Sequence, residues 1–469
     1  MIKNIPEEIL ETYKKFISAG FEAYLVGGCV RNLLLKKTVK DWDFTTNATP
    51  EQILKLFPDG FYDNKFGTVG IPVNEEKNQI IEVTTFRTEH GYSDRRRPDV
   101  VKWGKTIQQD LARRDFTVNA IAVKLQPPPQ GWTYKTIDLF NGQEDLKNKI
   151  VRAVGDAKQR FKEDALRLIR AIRIATEHEF TIEENTWNEM VKDADLITKI
   201  SGERIRIELL RIMSCNHPYD GIVLLKNANL IEYILPELLQ GIGVSQVRPG
   251  RHHTSDVYTH NLLSLKFCPS TDPIVRFATL LHDAGKPKVE KKDEQGLVIF
   301  HNHEIVGAKI AREISDRLHF SKKDRDKIVN LIRWHMFTVD EKITDAAVRR
   351  FIRRIGVENV KDMMDLRIGD RLGGGTQTAE SWRLKLFKKR IEDQLKPAPF
   401  SINDLAIDGN DVMKELNIKP GPKVGEILQK LFEEVDEDLS KNNREYLLKR
   451  VRGSCLVKDT PSRRSILIK

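Results

Sequence analysis

The segment from Tyr24 to Phe44 constrains the fold more than any other part of the chain. Tyr24-Leu25-Val26 reads as a short strand, Gly27-Gly28 as a turn, Val30 to Leu35 as a helix, and Asp41-Trp42-Asp43-Phe44 as a second strand. Side chains along a strand alternate in direction, so Asp41 and Asp43 share one face while the two aromatics take the other. Two carboxylates so placed are candidate catalytic ligands of one or two Mg²⁺ ions. Phosphoryl transfer needs that charge to hold a triphosphate and activate an attacking hydroxyl. Glycines at a strand-to-helix turn let backbone N–H groups approach phosphates, and the helix N-terminus favours an anion. Arg31 follows on the first turn and can reach the same phosphates. An isolated D-x-D pair reads as a solvated strand end; the Gly-Gly turn just upstream favours the catalytic reading.

The rest of the chain divides by pattern. Residues 6–18 and 51–57 read as helices, and 68–73, 79–85, 118–125 and 136–138 as strands of one small sheet. Beyond about residue 145 strand signals largely disappear and amphipathic helices follow, such as 160–176 and 204–213. The expected class is α+β: a small mixed sheet in a head (1–146), then a helical neck and body (147–240). Residues 241–250 read as a linker. Eight of the eleven histidines lie between His252 and His335, which marks off a third module (241–375), and a charged helical tail (376–469) completes the chain. Lys and Arg exceed Asp and Glu by 78 to 68, a net charge of +10 that favours an anionic partner, nucleic acid first. No stretch is long and apolar enough to span a bilayer, and the first residues lack a signal or transit pattern. Cys29, Cys215, Cys268 and Cys455 are far apart, without metal or redox spacing, so a cytoplasmic location is expected.

Val26-Gly-Gly-Cys-Val-Arg31 followed by Lys40-Asp-Trp-Asp-Phe44 resembles the first motif of the tRNA nucleotidyltransferase and bacterial poly(A) polymerase family. The resemblance continues through Ile81-Glu-Val-Thr-Thr-Phe-Arg87, Asp110-Leu-Ala-Arg-Arg-Asp-Phe-Thr-Val-Asn-Ala120 and Asp138-Leu-Phe-Asn-Gly142. It then runs through Arg160-Phe-Lys-Glu-Asp-Ala-Leu-Arg167 and Ser201-Gly-Glu-Arg-Ile205, and covers roughly half the chain. It implies a template-independent polymerase that uses CTP, ATP and Mg²⁺ on tRNA. It also assigns Arg114 to the nucleotide, and arginine forks suit phosphate oxygens. The family usually has Asp after the motif's arginine, where this chain has Asn32. Glu82 reads either as a third active-site carboxylate or as a solvated strand residue.

Along 160–175, Phe161, Ala165, Leu168, Ile169, Ile172 and Ala175 form an apolar face, and Glu163, Asp164, Arg167, Arg170 and Arg173 follow helical spacing on the other. One reading is a surface helix laced with ion pairs. The other is base selection. Cytosine and adenine both offer an amino donor beside a ring-nitrogen acceptor, which one Asp and one Arg would satisfy. Guanine and uracil would leave polar groups unpaired, at about 1–3 kcal/mol each. The resemblance places the family's nucleotide-selecting residues at Glu163, Asp164 and Arg167. Residues 85–98 read as a loop of the kind that CCA- and A-adding members keep, with Arg95-Arg96-Arg97 as an RNA contact or a solvated basic loop.

Tyr258-Thr-His260, Leu281-His-Asp-Ala-Gly-Lys286 and Trp334-His-Met336 resemble motifs of the HD phosphohydrolases. That resemblance implies a second divalent-metal site of His260, His282, Asp283, His303, His335 and Asp370. Its activity would be that of a phosphatase or 2′,3′-cyclic phosphodiesterase; the alternative is a scaffold for tRNA binding. The leading expectation is therefore a CCA-adding tRNA nucleotidyltransferase. The alternatives are an A-adding enzyme, a poly(A) polymerase, or an HD phosphohydrolase with an idle head. The sequence leaves the oligomeric state open.

Overall fold

The computed structural model describes residues 5–62, 68–74, 79–90, 100–104, 106–126, 132–246, 255–395 and 401–454. Two compact units emerge: Met1–Arg333 with Gly369–Gly375, and Trp334–Ile368 with Thr376–Lys469.

The first unit begins with a seven-stranded mixed sheet. Its strands are β1 (Ala23–Val26), β2 (Trp42–Thr46), β3 (Phe61–Tyr62), β4 (Thr68–Asn74), β5 (Gln79–Thr85), β8 (Ile121–Gln126) and β9 (Thr133–Asp138), in the order β3-β4-β5-β2-β1-β8-β9. Between β5 and β8 the chain forms a separate hairpin of β6 (Arg87–His90) and β7 (Val100–Trp103). That corrects the expectation of a loop over 85–98 at Thr85 and at 87–90; 91–98 lie outside the described residues. Four polar side chains in a row gave no apolar alternation, and the pairing comes from the partner strand. The triple arginine 95–97 lies outside the described residues.

Helix α1 (Glu7–Ser18) buries Ile9, Tyr13 and Phe16 against the sheet, Phe16 lying 6.5 Å from Phe44 between ring centres. Helices α2 (Gly28–Leu34), α3 (Pro50–Leu56), α4 (Ile107–Ala112) and α5 (Gly142–Asn148) complete the head. α3 starts on Thr49, whose hydroxyl accepts from the Gln52 N–H while the Gln52 side chain accepts from the Thr49 N–H, a reciprocal cap. The strand expected over 118–125 starts later: Thr117–Asn119 is a 3₁₀ turn, closed by Ala120 N–H to Thr117 O at 3.0 Å. α5 packs so closely on this turn that a Cβ at Gly142 would stand 2.2 Å from the Thr117 carbonyl oxygen.

The neck differs from expectation in one respect that matters. The helix read as continuous over 160–176 is two helices, α6 (Ala157–Glu163) and α7 (Leu166–His178). Asp164 between them is extended (φ −141°, ψ 103°), and its carboxylate accepts from the Leu166 N–H at 3.1 Å. Aspartate satisfies exposed helix N–H groups well, so it ends one helix and opens the next. α8 (Glu184–Lys192) packs on α6 and α9 (Gly202–Met213) on α7, and helices Val257–Phe267, Pro273–Leu281 and His303–Arg317 follow in the chain. Residues 247–250 of the expected linker lie outside the described residues.

In the second unit, Leu405, Val412, Val424, Leu431, Phe432, Val435, Leu447 and Val451 form one core, shared by helices Gly409–Leu416, Pro422–Glu437 and Arg444–Ser454. Buried Asp436 receives Arg349 at 2.8 Å and Arg353 at 2.5 Å. Among the described residues, no helix is long and apolar enough to cross a membrane.

Candidate active site

The parallel pairing of β2 with β5 places Asp43 in register with Glu82. Asp41 stands exposed one residue before β2, and Asp43 is part-buried. Three carboxylates thus share one end of the central sheet. Burial pushes the Asp43 carboxyl from its ordinary 3.8 up to about 6; Glu82 adds to this, Arg114 opposes it, and Asp41 adds again. A carboxyl held up by burial and by like charges is one that a divalent cation would relieve, so the donor set fits such an ion.

The Gly-Gly turn lies against these groups. Gly27 has φ +73°, and a Cβ there would sit 3.2 Å from both Asp43 Oδ2 and Arg114 Nη1. Glycine tolerates the positive φ, and any Cβ would push the carboxylate and the guanidinium away by a few tenths of an ångström. Arg114 is held by Asp110 at 3.1 Å, and Asp110 also takes Arg113 at 2.6 Å. Asp110 is fully buried, which would raise its pKa, but Arg113 and Arg114 outweigh burial and lower it.

Arg31 is buried, with Nη1 donating to Asn119 Oδ1 at 2.7 Å. Its contacts with Asn32 Oδ1 are long, at 3.4 Å. Burial lowers its pKa; Glu177 opposes, and Arg173 lowers it further. Asp115 is buried beside it and paired with Arg170 at 2.9 Å. Burial alone would raise Asp115, yet Arg170 and the Asn119 side chain bring it down to about 2.

A polar cleft of about 800 Å³ joins these groups to the neck. Gly28, Arg31, Asp41, Asp43, Glu82 and Asn119 line it from the head, and Arg170, Arg173, Glu177, His178 and Arg211 from the neck. Arg173 reaches Glu208 at 2.6 Å and Glu177 at 2.8 Å. Lys37 donates to His178 Nδ1 at 3.1 Å. An ammonium only donates, so Nδ1 must accept and the ring proton sits on Nε2. Burial, and then Arg31, lower the His178 pKa to about 4, which keeps the ring neutral. The sequence reading missed Lys37, Glu177, His178 and Arg211. Lys37 and Arg211 lie among many cations, and only the fold tells them apart.

Glu163, Asp164 and Arg167 do not line this cleft with Arg170 and Arg173. They form a second cluster at the α6–α7 break. Arg167 pairs with Glu163 at 2.9 Å and donates to the Arg113 carbonyl at 3.0 Å. Asp164 pairs with Arg204 on α9 at 2.9 Å. The five residues expected along one helix face are therefore split between two clusters: Glu163 and Asp164 precede α7, and Arg167, although on α7 with Arg170 and Arg173, turns to Glu163 and the Arg113 carbonyl.

The histidine cluster also assembles within the first unit. His260 Nε2 lies 3.2 Å from His282 Nε2 and 3.3 Å from both Asp283 Oδ2 and Asp370 Oδ1. His303 Nε2 is 3.3 Å from Asp283 Oδ1, and Lys286 reaches Asp283 Oδ2 at 2.5 Å. Asp283 is fully buried, yet Lys286 and His282 hold its pKa well below the ordinary value. Converging imidazole nitrogens and carboxylate oxygens fit a divalent transition metal. His335 is buried at the start of the second unit, just after helix Lys322–Trp334.

Comparison with known proteins bears on the whole chain. Residues 23–152 match the family model of the poly(A) polymerase head domain, 179–241 that of the RNA and SrmB-binding site of polymerase A, and 288–451 that of tRNA nucleotidyltransferase domain 2. A 212-residue stretch, 45% of this chain, is 46% identical to a CCA-adding enzyme of Lactobacillus helveticus and spans about half (49%) of that relative. The fold is similar to that of the Bacillus stearothermophilus CCA-adding enzyme, solved in complex with CTP, with a TM-score of 0.70 and 25% identity over 96% of this chain and 98% of that one. A CCA-adding enzyme of Lactococcus lactis subsp. cremoris is 31% identical over 455 residues, covering 96% of this chain and 98% of the relative. With a head, a cleft and a neck of this kind, and with that full-length likeness, the chain belongs to the CCA-adding enzymes, tRNA nucleotidyltransferases of the poly(A) polymerase family.

Proposed function

We propose that this protein builds or repairs the 3′-terminal CCA of tRNA from CTP and ATP, without a nucleic-acid template and with Mg²⁺, in the cytoplasm. The observation that carries this reading is the cleft itself: Asp41, Asp43 and Glu82 on one wall, and Arg31, Arg170 and Arg173 around them. The RNA 3′ hydroxyl attacks the α-phosphorus of the nucleotide, a new phosphodiester forms, and pyrophosphate leaves. Asp41 and Asp43 would hold the cation, which when bound supplies charge for the triphosphate and polarises the hydroxyl. Gly27 and Gly28 leave room for the phosphates, and Arg31 and Arg114 bind them. Arg170 and Arg173 bind the nucleotide within the cleft, and Glu163, Asp164 and Arg167, in the cluster at the α6–α7 break, would read the base. In this division the head is residues 1–146 and the neck and body 147–240, with the histidine module at 241–375 and an RNA-holding tail at 376–469.

The test is incubation with tRNAs lacking A, CA or CCA, with CTP and ATP singly and together. Extension of all three to a full CCA end supports the reading. Addition of A alone, to tRNA already ending in CC, makes this an A-adding enzyme, and long A tracts make it a poly(A) polymerase.

A second reading concerns the histidine module. His260, His282, Asp283, His303 and Asp370 would hold a second divalent metal and hydrolyse phosphate ends on damaged tRNA. The close approach of His260, His282, Asp283 and Asp370 favours it.

A further inference from the structure

Arg31 sits in an awkward place. Arg170 and Arg173 both act on it as like charges. Its guanidinium nonetheless lies against the Gly-Gly turn, where a Cβ at Gly28 would be 3.6 Å from Nη2. Glu177 and Asp115 offset those arginines as opposite charges, and the shortest hydrogen bond that fixes the fork is Nη1 to Asn119 Oδ1 at 2.7 Å, against 3.4 Å to Asn32. The Asn119 side chain is itself held from behind. Its Nδ2 donates to Asp115 Oδ1 at 3.1 Å, and that carboxylate is fixed by the Phe116 N–H at 2.8 Å and by Arg170 at 2.9 Å. A carboxylate accepts and a guanidinium donates, so only one orientation of the amide serves both neighbours.

We propose that Asn119 is a positioning residue for the nucleotide's triphosphate: Asp115 orients its amide, and the amide oxygen holds Arg31 beside the Gly-Gly turn. This rests on the reading of Arg31 as a phosphate ligand. The residue type follows from the chemistry. A carboxylate at this position would grip Arg31 harder but would neutralise it and compete with phosphate oxygens. An amide oxygen fixes the fork and leaves its charge for the ligand. Asn119 is buried in the 3₁₀ turn Thr117–Asn119, with Gly142 packed beneath it, so the turn fixes the backbone that carries the amide.

The test uses the full chain with a tRNA acceptor, comparing wild type, N119A, N119D, R31A and the double variant R31A/N119A. KM for CTP and ATP, KM for tRNA and the inhibition constant of cytidine, which has no phosphate, are measured for each. N119A should raise KM for both nucleotides roughly ten-fold, the loss of about one hydrogen bond to a charged group. The tRNA KM and the cytidine constant should stay within two-fold or so. N119D, nearly isosteric, should also weaken both nucleotides, and it carries the test if N119A does not fold. In the R31A background the N119A change should add nothing further. If R31A weakens both nucleotides but N119A has no effect, or adds its full factor on top of R31A, the positioning role is overturned while the phosphate role of Arg31 stands. A cytidine constant that moves with the nucleotide KM also overturns it, because that marks a general disturbance of the site. If R31A leaves both nucleotides unchanged, the phosphate reading of Arg31 fails first and takes this inference with it.

Discussion

Replacing Asp43 by asparagine should stabilise the metal-free protein even as it removes activity. Raising a carboxyl from 3.8 to about 6 corresponds to roughly 3 kcal/mol held against its ionised form at neutral pH. Asp43 is only part-buried, so water and side-chain adjustment reduce this to about 1–1.5 kcal/mol. The sign is fixed by linkage. A carboxyl whose pKa is higher folded than unfolded binds its proton more tightly in the folded state. Its contribution is favourable at low pH and is lost as pH rises from about 4 to about 6. The asparagine never ionises and escapes that loss. With a chelator present, D43N should therefore melt about 1–2 °C above wild type at pH 8. At pH 5 the advantage should shrink by about half. Adding Mg²⁺ at pH 8 should raise the wild-type midpoint and leave D43N nearly unmoved. Thermal melts in four buffers measure all of this. A D43N midpoint below wild type at pH 8, or an advantage equal at both pH values, would refute the argument that burial and Glu82 strain this carboxylate.

Three further outcomes are expected. Gly27→Ala should lower kcat/KM for both nucleotides at least ten-fold, because positive φ costs about 1–2 kcal/mol and the new methyl group meets Asp43 and Arg114 at 3.2 Å; steady-state kinetics check it, with KM for tRNA unchanged. Asp164→Ala and Arg167→Ala should relax selection among CTP, ATP, GTP and UTP by roughly ten- to hundred-fold; an equal fall for all four nucleotides would mean that these residues position the neck instead. His282→Ala combined with Asp283→Ala should abolish hydrolysis of 2′,3′-cyclic and 2′-phosphate ends and leave CCA addition intact; if wild type hydrolyses neither end with any divalent metal, the histidine module is a scaffold.

Much of the head was legible because its signals are local. A short apolar run, a glycine pair and alternating Asp41 and Asp43 define a strand, a turn and a second strand within a few residues of one another. The registration of Asp43 against Glu82 was not legible, since pairing between distant strands leaves no trace in either one. The break at Asp164 left a faint signal, an aspartate before a helical run, but the apolar spacing from Phe161 to Ala175 continues across it and hid the change of direction. Nor does spacing show that Arg167 turns to Glu163 while Arg170 and Arg173 on the same helix line the cleft. The histidine cluster was foreshadowed by the His-Asp-Ala-Gly-Lys motif and its neighbouring histidines; which atoms converge on Asp283 depends on helices far apart in the chain.

The buried ion pairs of the neck separate two quantities under added salt. Arg167–Glu163, Arg170–Asp115 and Arg173–Glu208 each include at least one partner that is nearly inaccessible to solvent. Mobile ions screen such pairs little, whereas exposed contacts between lysine or arginine and RNA phosphates weaken steeply as counterions compete. Rising ionic strength should thus loosen capture of the RNA long before it disturbs the cleft. The expected pattern is a KM for tRNA that climbs with salt over a range in which kcat at saturating tRNA stays level. A site built from exposed pairs would lose both together. This one keeps its working geometry and gives up only its hold on the substrate.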